Sequence, residues 1–222
     1  MNIVHKPMLH QVAIVLLSAL TLGSLAACAQ AKPVMKVKPG GAARAATQPD
    51  PAKTTLLQPL EQMITKLKKL QATGDPDFDY AFQAKIHNQG IQDLLKQEIQ
   101  SGKSAELKQM AQSLLTAAQT DQNTIDGVMR QLKPSRPNQS FTQQQSRNIE
   151  AMSLKLQQTG TSDKLTADID KNFKALLLDQ RQDAIDMAAT YLQFGRNSTL
   201  RTYAEQMTAK AKEEMAQLKA MP

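Results

Sequence analysis

Three observations predict an all-α protein in which two repeated helical hairpins, each preceded by an extra helix, make a four-helix bundle. Helix formers such as Leu, Ala, Gln and Lys are abundant, only 4% of the 222 residues are aromatic and none is Trp. The core must therefore be aliphatic and Met-filled, and runs of β-formers with period two are absent. Between Gln180 and Met221 apolar residues recur at spacings of three and four, stop at Gly195 and resume, which marks two helices joined by a turn. Displaced by 93 residues, the pattern returns at His87 to Met129. Under that single offset Thr166, Asp168 and Asp170 fall on Thr73, Asp75 and Asp77, Gly195 on Gly102, Leu200 on Leu107, and Ala211 on Ala118. The chain reads as a duplication, with repeats at about 55–132 and 141–222.

The first 28 residues read as a signal segment. Lys6 precedes an uncharged run of eleven residues, Val12 to Leu22, too short to span a bilayer, and L-A-A-C closes it at Leu25 to Cys28. These four residues resemble a bacterial lipobox, which makes Cys28 the expected lipid attachment site; a plain secretory signal cut after Ala27 or Ala31 is the alternative. A lipobox cysteine carries more than one acyl chain, enough for stable anchoring. Ala29 in place of Asp resembles the pattern sent to the outer membrane, so the expected place is the cell envelope, facing the periplasm. Cys28 is the only cysteine, which excludes an internal disulfide and a multi-cysteine metal knuckle. Residues 29–54, rich in Ala, Pro, Gly and Lys, are expected to form a disordered basic tether with a span of roughly 25–30 Å.

Six helices follow in the bundle domain, residues 55–222. Thr55 is the expected N-cap of the first, with Leu56, Leu60, Met63, Ile64 and Leu67 on its apolar stripe and Pro59 near its first turn. Asp75, Pro76 and Asp77 form a start signal for the second: an acidic cap, a proline able to occupy N1, and an acid facing the positive helix end. Phe78, Phe82, Ile86, Ile91, Leu94, Leu95 and Ile99 are expected to line it, and Gly90 inside it suggests a close neighbour. Ser104 caps the third helix, whose seam runs from Leu107 to Leu132; Pro134 and Pro137 mark the join. Phe141–Gln158, Asn172–Gln193 and Ser198–Met221 replay the three helices.

The net charge of +7 does not make this a nucleic-acid binder. Lys6, Lys32, Lys36, Lys38, Arg44 and Lys53 lie before the bundle, and residues 55–222 hold 21 basic and 19 acidic residues. A duplex binder concentrates its basic excess on the folded part.

The runs Q-R-Q-D-A-I-D-M-A at Gln180, L-Q-F-G-R-N-S-T-L-R-T-Y-A at Leu192 and E-M-A-Q-L-K-A-M at Glu214, with D-F-D-Y-A-F at Asp77, resemble the bacterial family called domain of unknown function 305. The first repeat is also similar to a neighbouring ferritin-like family, domain of unknown function 4142. The first resemblance covers about Asp77 to Met221 and implies a ferritin-like, four-helix periplasmic protein, some members of which bind copper through paired His and nearby Met side chains. Imidazole and thioether suit copper, thioether above all Cu(I). The pair positions here are His87 and Asn88 in the first repeat, Gln180 and Arg181 in the second. Three of four imidazoles are missing. Gln89, Gln182 and Met187 remain from the motif, so any copper site is expected at His87 and Met187.

Once His5 and His10 leave with the signal, His87 is the only histidine. A di-iron Glu-x-x-His site on two helices cannot be built, and no H-E-x-x-H, phosphate loop or G-x-S-x-G elbow is present. Asp93, Asp121, Asp186 and Glu214 stand near apolar seams and read as ion-pair partners of lysines one turn away rather than as a cation site. The eight Met residues of the helices read as packing filler in an aromatic-poor core, with a copper stripe as the alternative. The expected function is non-enzymatic: an envelope lipoprotein with a partner-binding, structural or stress-related role, the alternative being a copper-binding or copper-buffering protein. No catalytic residue and no cofactor other than possible copper are expected, and the expected partners are the membrane through its lipid anchor and an unidentified protein.

Overall fold

Short polar side chains start the helices by taking N–H groups that have no intrahelical acceptor. Asp75 Oδ1 accepts from the N–H of Asp77 and Phe78, and Asp168 Oδ1 from Asp170 and Lys171. Ser104, Asn138 and Asn197 each accept from the residue three ahead. In the computed structural model, which describes residues 50–133 and 135–221, six helices result: α1 (Pro51–Lys69), α2 (Pro76–Ser101), α3 (Ala105–Met129), α4 (Gln139–Thr161), α5 (Ile169–Phe194) and α6 (Ser198–Ala220). No strand occurs among the described residues, so the all-α expectation stands. The signal segment, Cys28 and residues 29–49 of the tether lie outside the described residues. No described helix is long and apolar enough to cross a membrane.

The duplication holds at atomic detail in the hairpins and the loops that lead into them, whereas α4 begins 88 residues after α1 and departs from the offset. α2 and α5 begin and end 93 residues apart, as do the starts of α3 and α6. The loops leading into α2 and α5 also match. The Thr73 N–H donates to Asp79 Oδ1 (2.8 Å) and the Thr166 N–H to Asn172 Oδ1 (2.7 Å). Thr73 and Thr166 hydroxyls accept from the N–H of Asp75 and Asp168, both at 3.1 Å.

Two expectations are corrected. α1 starts at Asp50, not Thr55: Asp50 Oδ1 accepts from the Ala52 N–H at 3.0 Å and Pro51 fills the first helical position, so residues 51–54 belong to the helix and Pro59 lies well inside it. The face of α2 also differs. Phe82 is 38% exposed and stacks on Phe78, whereas Tyr80, Ala84 and His87 are buried along with the expected Ile91, Leu94 and Leu95. α2 is a central helix touched by α1, α3 and α5, so polar residues such as Gln83, Asn88 and Gln92 are enclosed with the apolar ones and a single stripe no longer describes it.

α2 and α5 form the middle of the molecule. α1 and α4 pack across one side of them, each also touching the other; α3 lies on α2 and α6 on α5 along the opposite side, where α3 and α6 scarcely meet. One hydrophobic cluster draws residues from all six helices. Towards the end of the α2–α5 pair where α2 begins and α5 finishes, Tyr80 of the first repeat stacks on Tyr191 of the second, ring centroids 4.1 Å apart and planes within 6°. Leu56, Leu60, Leu94, Leu95, Leu176 and Leu177 are wholly buried elsewhere in the same cluster. Each such leucine is worth about 1.5–3 kcal/mol relative to exposure. Gly90 makes the close approach its place in the helix suggested: a Cβ there would come within 2.5 Å of Met63 Sδ on α1. Met63 and Met152 are core filler, both 1% exposed.

Candidate functional site: the cleft between α3 and α6

Because α3 and α6 each pack on their own hairpin partner, a cleft remains between them with α2 and α5 as its floor. An inner cavity of about 40 Å³ lies at the bottom. Asp121 and Tyr203 stand where it meets a surface groove reaching Thr199 and Gln206; Leu114, Ala117 and Glu214 stand where it meets a second, bounded by Met110, Gln217 and Met221. His87, Asn88, Arg181, Met187 and Met207 line the inner cavity.

The spacing explains the convergence. Positions 87 and 180, and 88 and 181, are equivalent under the duplication, and α2 and α5 run antiparallel side by side, so the pair positions of one repeat face those of the other. Gln180, 1% exposed, lies within hydrogen-bonding reach of the His87 imidazole. His87 is 4% exposed and its Nε2 has no hydrogen-bond partner. Burial first, and the Arg181 charge second, hold its pKa down at about 3, so the ring is neutral. Asn88 donates its side-chain N–H to the Ala118 carbonyl at 2.7 Å, tying α2 to α3.

Arg181 forms an ion pair with Glu214, Nε to Oε2 2.5 Å, with both side chains largely buried. Burial raises the pKa of Glu214, with Arg181 and Lys210 pulling the other way; burial likewise raises Asp121. Asp121 and Glu214 are therefore cleft residues. Their reading as partners of lysines one turn away is corrected for Glu214, which takes Arg181 from the neighbouring helix. The reading holds in kind for Asp93, which pairs with Lys96 at 2.9 Å, while Asp186 is exposed and accepts from Gln182. The four carboxylates do not converge.

Of the residues singled out for metal, the structure brings His87 and Met187 to one cavity and leaves Gln89 on the surface. The donor set fits a metal poorly. Three of the four pair positions carry no imidazole, and the guanidinium whose field already resists protonation of His87 resists a metal cation on the same nitrogen. Among the described residues no group of three or more His, Cys, Asp or Glu is placed to hold a metal ion.

Sequence reasoning missed the second meeting place of the repeats. Asp77 reads as an acid facing the start of its own helix, and Asp170 is its counterpart under the offset of 93. Instead each reaches the turn of the other repeat. Asp77 Oδ1 accepts from the N–H of Arg196 (2.9 Å) and Asn197 (3.0 Å), and Asp170 accepts from the N–H of Lys103 (2.7 Å) and Ser104 (2.9 Å). The residues are equivalent pairwise, so the offset of 93 held the signal, but only the antiparallel placement of α2 and α5 turns it into a contact.

No curated protein and no solved structure matches this chain. A family match does exist, over residues 77–222, to the family described as Domain of unknown function (DUF305). It spans both hairpins and the cleft they enclose, including His87, Asn88, Gln180 and Arg181, and the chain belongs to that family.

Proposed function

We propose that this is a non-enzymatic lipoprotein of the cell envelope, anchored through Cys28, whose bundle serves a structural or partner-binding role and no longer depends on metal. The observation that carries the reading is the Arg181–Glu214 pair in the cleft. A resident cation with its own counter-ion stands at one of the four positions where relatives would place imidazole, so the cleft is internally neutralised. Burying such a pair gives little net stability, whereas removing one partner leaves an uncompensated charge. The pair thus commits the cleft to its present occupants.

A second reading, copper binding, draws on one specific observation: the neutral His87 with a bare Nε2 in a cavity shared with Met187 and Met207. A nitrogen and thioethers are a donor set for Cu(I). Titration of the purified protein with Cu(I) and Cu(II), repeated with His87→Ala, separates the two. The first reading expects no tight stoichiometric binding of either ion. Tight one-to-one uptake that disappears in His87→Ala would replace it with the second. Metabolic labelling with palmitate in the wild type and in Cys28→Ala tests the anchor, which is expected to take label only in the wild type.

A further inference from the structure

The two meeting points of the repeats are equivalent in backbone and unlike in one side chain. At the first, the Tyr191 hydroxyl donates to Asp77 Oδ1 at 2.7 Å, beside the two turn N–H groups. Residue 98 is the equivalent of 191, and there the chain has Glu98. Its side chain folds over Gly102 as that of Tyr191 folds over Gly195: a Cβ on Gly102 would collide with Glu98 Oε1, and one on Gly195 with Tyr191 Cε2. Glu98 is 0% exposed, lies in hydrogen-bonding reach of Asp170, and no donor reaches either of its carboxyl oxygens. A buried carboxylate with no donor, facing a second carboxylate, is a costly arrangement; a carboxylic acid in the same place has a proton to give.

We propose that Glu98 is held as the neutral acid and donates its proton to Asp170, doing for the second meeting point what the Tyr191 hydroxyl does for the first, and that this contact between the repeats weakens when Glu98 ionises. The charged groups around it agree. Asp170 and Asp168, from the start of α5, oppose ionisation, and Lys108 of α3 favours it, while burial is the largest influence; together they raise the pKa to about 8. The phenol at the first meeting point stays protonated over the whole neutral range, so only the Glu98 end responds to pH. Because the folded pKa lies above the unfolded 4.5, the native state holds this proton more tightly. The group's stabilising contribution is complete below about 4.5, declines as pH rises, and is gone above about 8.

Carbon-13 NMR of the full chain labelled at glutamate side-chain carboxyls tests this directly. One resonance is expected to titrate with a midpoint near 8 and to vanish in Glu98→Gln, which keeps a donor for Asp170 without the titration. Thermal melts between about pH 6 and 9.5, a window bracketing that midpoint, add a second readout: the wild type is expected to lose stability with rising pH more steeply than Glu98→Gln. If every glutamate carboxyl in the wild type titrates near 4.5, or if the variant's melting temperature falls with pH as steeply as the wild type's, the proposal is wrong. The wild-type titration can overturn the proposal without any variant, so a poorly folded Glu98→Gln would not shelter it.

Discussion

His87 shows how burial changes what a residue can report. Its imidazole is neutral in the folded protein down to a pH near 3, whereas the unfolded chain takes up the proton near 6.5. Between those limits the unfolded state binds more protons, so stability rises with pH; the contribution is complete above 6.5 and is lost as the solution is acidified towards 3. One group supplies at most about 1.4 kcal/mol per pH unit. Chemical denaturation of His87→Gln, which places in α2 the residue already present at the equivalent site of α5, is expected to show a shallower loss of stability than the wild type between about pH 6.5 and 4. Equal slopes would mean that the imidazole is hydrated. The sequence marked His87 as the last motif histidine, but its burial came from α2 being central, which a stripe of Phe78, Phe82 and Ile86 could not reveal.

The helices themselves were legible because their boundaries are written in local chemistry. Asp75, Ser104 and Gly102 are start and stop signals acting within a few residues, and the offset of 93 checked each against its copy. α1 was misplaced where two local signals competed: Thr55 and Asp50 are both good caps, and Pro51 next to Asp50 decided the matter. The contacts that escaped are those in which an element's cap comes from the other repeat. Asp77→Ala removes the acceptor of two turn N–H groups and the Tyr191 hydroxyl, and Asp170→Ala that of two N–H groups. Each is expected to cost about 1–3 kcal/mol in urea denaturation. Gly195→Ala is expected to cost a similar amount, about 1–3 kcal/mol, because the Tyr191 ring stacked on Tyr80 must move to admit the methyl. Loss of near-ultraviolet circular dichroism from the tyrosines should accompany it.

At the scale of the molecule, the two repeats share one interior. Tyr80, Leu94 and Leu95 on one side and Leu176, Leu177 and Tyr191 on the other belong to a single cluster, and the Tyr80–Tyr191 stack crosses between the repeats. A chain cut to residues 50–133 is therefore expected to lose cooperative thermal unfolding in calorimetry and to bind hydrophobic dye. A sharp calorimetric transition for that fragment would show that the first repeat closes a core unaided. The repeat and its helical class were readable because duplication leaves a periodic trace. The cleft was not, because a gap between α3 and α6 is a matter of which helices fail to touch, and no spacing in the sequence records it. The four pair positions could be quoted from the chain, yet their facing one another across α2 and α5, and the Arg181–Glu214 pair that joins them, exist only once the copies are antiparallel.

The stretch between α3 and α4 joins the repeats; Leu132 packs against the shared hydrophobic cluster, and beyond it Ser135 N–H donates to Asp75 and Asn138 N–H to the Gly74 carbonyl in the loop before α2. Cutting the peptide there would sever the covalent link and leave the interlocked halves in place. Two separately made fragments, neither expected to fold by itself, should then reconstitute the native molecule on mixing, and the affinity of that complementation would measure the grip of one repeat on the other.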